Sequence, residues 1–137
     1  MRLWISRILI GLVLLDNLQA SVFFITKPDG FAAAFDLAGP AGMAAMRSIG
    51  ILFLMWCVPY TFAAVHPIRF RISLIEACLM QAIGILGESF LLGKLPAELV
   101  KTPSSLGRFI IFDAAGLILL LIALGLTARI LPFRKPN

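Results

Sequence analysis

Histidine occurs once in this chain, cysteine twice and the acids seven times, and each scarcity removes a class of chemistry. His66 alone can neither pair for haem nor fill a zinc tetrad, and Cys57 and Cys78 are too far apart in sequence for a CxxC motif. Two cysteines are also too few for a disulfide-built scaffold. No phosphate-cradling glycine loop and no GxSxG nucleophile elbow occurs. Charge is sparse as well. Only 14% of the residues are Asp, Glu, Lys or Arg, too few to coat a water-soluble globule of this length.

What the chain has in abundance is hydrocarbon, with 61% hydrophobic residues and a mean hydropathy of +1.01. Four apolar segments, 3–25, 41–65, 70–92 and 107–131, each exceed the roughly 20 helical residues that cross a ~30 Å hydrocarbon core. The expected fold is all-α: an antiparallel four-helix membrane bundle forming a single transmembrane domain over 1–137. Arg2, Arg7 and the run Ile8 to Leu15, followed by Leu18-Gln19-Ala20, follow the order of a secretory signal. Asp16 interrupts that run, which resumes as Val22-Phe23-Phe24-Ile25, so a retained first helix is expected.

Lys and Arg collect on the cytoplasmic side of membrane proteins. With four crossings the termini share a side, and that side gathers Arg2, Arg7, Arg69, Arg71, Arg129, Arg134 and Lys135 in short flanks. The other side has Lys27, Arg47, Lys94, Lys101 and Arg108 in longer loops that also contain Asp29, Asp36 and Glu98. Both termini are therefore expected in the cytoplasm. The net charge of +5 lies at membrane flanks and speaks for anionic lipid rather than nucleic acid.

Punctuation between the spans sets their order in space. His66-Pro67-Ile68-Arg69 allows only a tight hairpin, so the second and third helices must be neighbours. The first and third loops contain the apolar pieces 31–35 and 96–100, suited to short interfacial helices that lid the non-cytoplasmic face. Pro40 and Pro103 fall where a first helical turn would begin, with Thr102 as N-cap. Pro59, inside the second span, removes the hydrogen bond to the Met55 carbonyl and should kink the helix there.

The ionisable residues are placed unevenly. At ~1.5 Å of rise per residue, Asp16 lies ~20 Å and Glu88 ~24 Å from the inner ends of their helices. Asp113 and Arg47 enter from the opposite side, so Asp16, Asn17, Arg47, Gln81, Glu88, Arg108 and Asp113 are expected to share one polar layer in the outer half, with Gln19 and Ser48 nearby. A lone Asp near bilayer centre costs ~2.5–3.5 kcal/mol on insertion scales, so Asp16 should face inward and pair with Arg47 or Arg108. Two arginines cannot neutralise three carboxylates; one of Asp16, Glu88 and Asp113 is left to be protonated, or to face a cavity or a cationic ligand. Ala77, Gln81, Gly84 and Glu88 recur at intervals of four, three and four and form one inward stripe. The bland alternative is that these groups are interhelical glue.

Glu76 sits near Arg71, Arg7 and Arg129 as an end-of-helix pair, His66 is a turn residue, and Cys57 and Cys78 come to similar depth as packing thiols. Phe35-Asp36-Leu37-Ala38-Gly39 echoes Phe112-Asp113-Ala114-Ala115-Gly116, too briefly to mark a duplication.

With Arg7 and Gly11 in the first span, Arg47 and Gly50 opening the second, and Arg108 and Asp113 in the fourth, the chain resembles the small four-helix DoxX-like bacterial membrane proteins. The resemblance implies a non-catalytic or accessory membrane role, with Asp16, Arg47, Arg108 and Asp113 as a shared polar core; some members of that group partner quinone-linked oxidoreductases. The expected function is an accessory or stabilising subunit of a larger inner-membrane complex, its partners being lipids and other membrane subunits or further copies of itself. The alternative is a small carrier or binding protein that takes a lipid, quinone or cation in an outer-half cavity. An enzyme ranks last, since no nucleophile, cofactor motif or metal constellation accompanies the carboxylates.

Overall fold

The structure, a computed structural model, describes residues 1–37 and 39–128. Ala38 and the chain from Arg129 onward, with the end of the expected fourth span and the charges of Arg129, Arg134 and Lys135, lie outside the described residues. Five helices follow one another: α1 (Arg2–Thr26), α2 (Pro28–Ala34), α3 (Gly39–Val65), α4 (Arg71–Leu92) and α5 (Thr102–Ala128). All but α2 are long and apolar enough to cross a membrane. The all-α four-helix membrane bundle read from hydropathy is the fold observed.

Two boundaries differ from expectation. α5 begins at Thr102, earlier than the apolar run suggests, because polar Thr102, Ser104, Ser105 and Arg108 build its first turns before hydrocarbon does. Pro103 accordingly occupies the first turn, as Pro40 does in α3. The second expected interfacial helix, 96–100, does not form; the segment makes only a turn in which Leu99 N–H donates to Pro96 O at 3.2 Å. A helix this short does not pay its nucleation cost unaided. α2 has aid: Pro28 opens it, Asp29 complements its N-terminal dipole, and it packs on α3.

The four long helices close a ring in which α1 touches α3 and α5, and α4 touches α5 and α3. The 66–70 hairpin makes α3 and α4 neighbours as expected, and His66 acts there as a turn residue, its Nδ1 accepting from Arg69 N–H at 3.1 Å. α3 runs unbroken through Pro59. Bundle ends are named here for what they carry: the hairpin end, with Arg2 and the 66–70 turn, and the α2 end.

α1 buries Ser6, Ile10, Val13, Asn17, Ser21 and Phe24, a stripe at intervals of three and four that marks one face of a helix. Its polar members join neighbouring backbones: Ser6 Oγ donates to Ala123 O at 3.2 Å and Ser21 Oγ to Gly50 O at 2.8 Å. Arg7 Nε donates to Ala64 O at 3.1 Å near the end of α3. Such bonds hold membrane helices together where lipid removes the hydrophobic drive to associate. Toward the hairpin end the core is Ile10, Tyr60, Leu74, Ala77, Cys78, Leu120 and Ala123, with Cys57 and Cys78 buried as free thiols. Between 17% and 28% of each span's apolar stretch is buried. The rest, including Ile83, Leu86, Phe90 and Ile111, points outward and requires hydrocarbon around it.

Candidate functional site

The residues expected to form one polar layer divide between two sites, with Asn17 and Arg47 outside both. Helical angle is the reason. Asp16 and Asn17 are consecutive and therefore ~100° apart, and Asn17 takes the buried stripe, where its Nδ2 donates to Val13 O at 2.9 Å. Asp16 is left on an exposed face. On α5, Arg108 and Asp113 are five residues apart, ~140° around the helix. They cannot serve the same neighbour.

The first site is a cavity of about 310 Å³ at the α2 end between α1, α2 and α5, within the ~300–1,000 Å³ range of small-molecule sites. Six phenylalanines line it: Phe23 and Phe24 from α1, Phe31 from α2 and Phe35 just after it, Phe109 and Phe112 from α5. The polar lining is Asp16, Gln19, Ser105 and Arg108. Phe24 anchors the aromatic wall. Its ring meets Phe31 edge-on at 4.6 Å and Phe53 edge-on at 5.5 Å, and stacks on Phe109 at 5.8 Å. Phe31 of α2 and Phe35 just after it, and Phe109 and Phe112 of α5, recur at helical spacing, so one face of each of these elements meets the cavity. These aromatic spacings were present in the sequence, but polarity alone had singled out the site there.

Asp16 and Arg108 both reach this cavity, yet no hydrogen bond or ion pair joins them among the described residues; Arg108 Nη2 donates to Ser105 Oγ at 3.2 Å instead. The expectation that Asp16 faces inward against an arginine is thus corrected: it faces a cleft on the flank of the bundle. Antiparallel register explains the separation. Phe24 of α1 stacks on Phe109 while Val13 meets Gly116, so Asp16 lies opposite the residues just before Gly116, ~10 Å along the axis from Arg108.

α2 roofs the cavity through Phe31, Ala34 and Phe35 and is fastened to α5. Asp36 Oδ2 accepts from Lys101 N–H at 2.8 Å and from Thr102 N–H and Oγ1 at 2.9 Å. Ser105 Oγ donates to Ala34 O at 2.5 Å. The Thr102 N–H holds the Asp36 carboxyl below its ordinary value of 3.8, against the opposing effect of burial and with further help from the Lys101 N–H and charge and the Thr102 hydroxyl. Thr102, expected as an N-cap, is the first residue of α5 and donates to a cap supplied by Asp36. Asp36 adopts a positive φ of 56°, whereas its sequence echo Asp113 lies mid-helix; the two aspartates have unrelated backbone conformations.

The second site lies on the seam of α4 and α5. Gln81 is buried, and Glu88 and Asp113 are half-buried, so the inward stripe 77, 81, 84, 88 is observed. A Cβ on Gly84 would collide with the Asp113 carboxylate, and one on Gly116 would meet Gln81 Nε2 at 2.9 Å. Each glycine makes the slot that the opposite polar side chain fills. Tyr60 of α3, not singled out in the sequence, closes the seam below, its Oη donating to Ala77 O at 3.3 Å.

Arg47 belongs to neither site. It is exposed on α3 and makes no hydrogen bond among the described residues. Glu76 is likewise exposed, and its expected partner Arg129 lies outside the described residues. No group of three or more His, Cys, Asp or Glu that could hold a metal ion occurs among the described residues.

No family model matches this chain, and no curated protein or solved structure does. The residues themselves therefore carry the functional argument.

Proposed function

We propose that the protein binds a membrane-soluble amphiphile with a flat polar head, of the quinone or lipid kind, in the phenylalanine-lined cavity beneath α2. One observation carries this reading: an aromatic cavity of about 310 Å³ that has a carboxylate and a guanidinium left unpaired with each other in its lining. Aromatic walls favour a planar ring through offset and edge-to-face packing. Arg108 offers several N–H donors to a carbonyl or anionic oxygen, and Asp16, deeper, accepts from a hydroxyl or ammonium. The cleft opens on the flank, so an apolar tail would lie along α1 and α5 in the bilayer.

The surroundings proposed are a bacterial inner membrane, as the resemblance to DoxX-like proteins implies, with both termini in the cytoplasm and α2 on the opposite side, from the basic residues of the flanks. The test uses purified protein in detergent, with a short-chain benzoquinone and a phosphatidylglycerol as probes. At least one probe should raise the melting temperature of the native protein, with the shift lost in Arg108→Leu and Phe109→Ala. Absence of a saturable shift with both probes would retire the reading.

A second reading, an accessory subunit of a larger complex, is favoured by Arg47. An exposed guanidinium on a spanning helix, ~12 Å from the start of α3, suits a carboxylate on a neighbouring subunit unless it snorkels to headgroups. Mild-detergent copurification that depends on Arg47 would support it.

A further inference from the structure

Apart from the cavity, the α4–α5 seam presents buried oxygen acceptors that lack donors. Among the described residues neither Gln81 Oε1 nor Glu88 Oε2 has a hydrogen-bond partner, although both atoms are buried. Gln81 is only 3% exposed, and its amide rests on Gly116, one turn of α5 beyond Asp113. The Asp113 carboxylate occupies the slot at Gly84, one turn of α4 below Glu88, so the two acids are neighbours along the seam. Among the described residues no guanidinium or ammonium pairs with either acid, and Arg108, the nearest arginine on α5, donates to Ser105 instead.

Unpaired carboxylates in a hydrocarbon span are costly, and two of them sharing a low-dielectric seam repel each other. A proton removes both costs. It also converts one acceptor into the donor that the seam lacks, because a protonated carboxyl has an O–H to give.

We infer that Glu88 and Asp113 form a proton-binding site that exchanges with solution at the α2 end of the bundle. The step is an association: water or hydronium at that end passes a proton to a carboxylate oxygen, one O–H bond breaks and one forms, and no redox partner takes part. Glu88 provides the entrance, one turn before α4 ends at Leu92 and only half-buried. Asp113 is the inner acceptor, with Gln81 beyond it. Among the described residues the other titratable groups on this side are Tyr60 of α3, bonded to the Ala77 carbonyl of α4, and the buried thiols Cys57 of α3 and Cys78 of α4. α1 meets the seam through Val13 at Gly116, and the buried Asn17 one turn on has no charge to titrate and bonds within its own helix.

Infrared difference spectroscopy on the full chain in an ester-free maltoside detergent tests the assignment, with pH stepped from mildly acid to alkaline. The expected result is a protonated-carboxyl band at neutral pH that disappears reversibly on alkalinisation and is reduced or lost in both Glu88→Gln and Asp113→Asn. Three results would overturn it: full ionisation of the carboxyls at neutral pH, a band untouched by either substitution, or a band that never titrates. Sodium in place of choline should leave the band unchanged at constant pH; its suppression by sodium would mean a metal-ion site and would also overturn the assignment. Should either variant fail to fold, by circular dichroism, the reversible titration of the native band decides alone. The outcome is independent of whether the phenylalanine cavity binds an amphiphile.

Discussion

Thr102 gives two hydrogen bonds to one oxygen of Asp36, through its N–H and its Oγ1, both at 2.9 Å. A carboxylate from the loop after α2 thus caps a helix that starts far along the chain, and the roof of the cavity is tied to its wall. Exposed donors at a helix start favour an anion there.

This latch has a pH signature. The Asp36 carboxyl is held below its ordinary 3.8, so the folded state binds its proton less tightly than the unfolded chain does. The stabilisation is complete above the ordinary carboxylate range and is lost as pH falls through and below it. Asp36→Ala should lower the melting temperature at neutral pH, and the gap to the native protein should close in strong acid. Parallel melting curves constant across that range would contradict the latch.

Asp16→Leu should leave the bundle folded and slightly more stable, because an exposed carboxylate is removed from a spanning helix that pays ~2.5–3.5 kcal/mol to carry one near its centre. The same change should weaken binding of whichever probe the cavity takes. A marked loss of folded protein would mean that Asp16 is paired within the bundle after all; reversible unfolding in mixed micelles measures this.

Gly84 and Asp113 should be coupled. Gly84→Ala puts a Cβ into the Asp113 carboxylate and should cost ~1–3 kcal/mol, as overpacking does. In an Asp113→Ala background the same change should cost far less, giving an interaction energy of ~1 kcal/mol or more in a double-mutant cycle. Additive effects would show that the two do not share a slot.

Replacing Phe24 with Ala should destabilise by ~3 kcal/mol, the usual cost of deleting a buried ring, since Phe24 is 2% exposed and touches rings from α2, α3 and α5. Phe24→Leu should cost about half as much by the same measure. Equal stabilities would remove Phe24 as the anchor of the cavity wall.

Orientation is open to direct labelling. In a background with Cys57 and Cys78 changed to Ala, a cysteine at Asp29 should react with an impermeant maleimide added to intact cells, and one at Asn137 only after lysis. The reverse pattern would invert the proposed topology.

Hydropathy alone determined that the chain crosses a membrane as four helices, because burying a backbone in hydrocarbon leaves almost no other choice. Local chemistry was nearly as legible: prolines marked helix starts, the 66–69 turn made α3 and α4 neighbours, and spacing put Gln81 and Glu88 on one face. Depth could also be counted along each helix. What depth could not supply was azimuth. Asp16, Arg108 and Asp113 lie near the same end of the bundle, but one residue of offset on α1 and five on α5 turn them toward different neighbours, and only the packed helices fix which neighbour each meets. The cavity was hidden for the same reason, since its phenylalanines come from three elements and are unremarkable in any one of them. Likewise the cap of α5 is a side chain distant in sequence, brought to Thr102 only when α2 folds across the bundle.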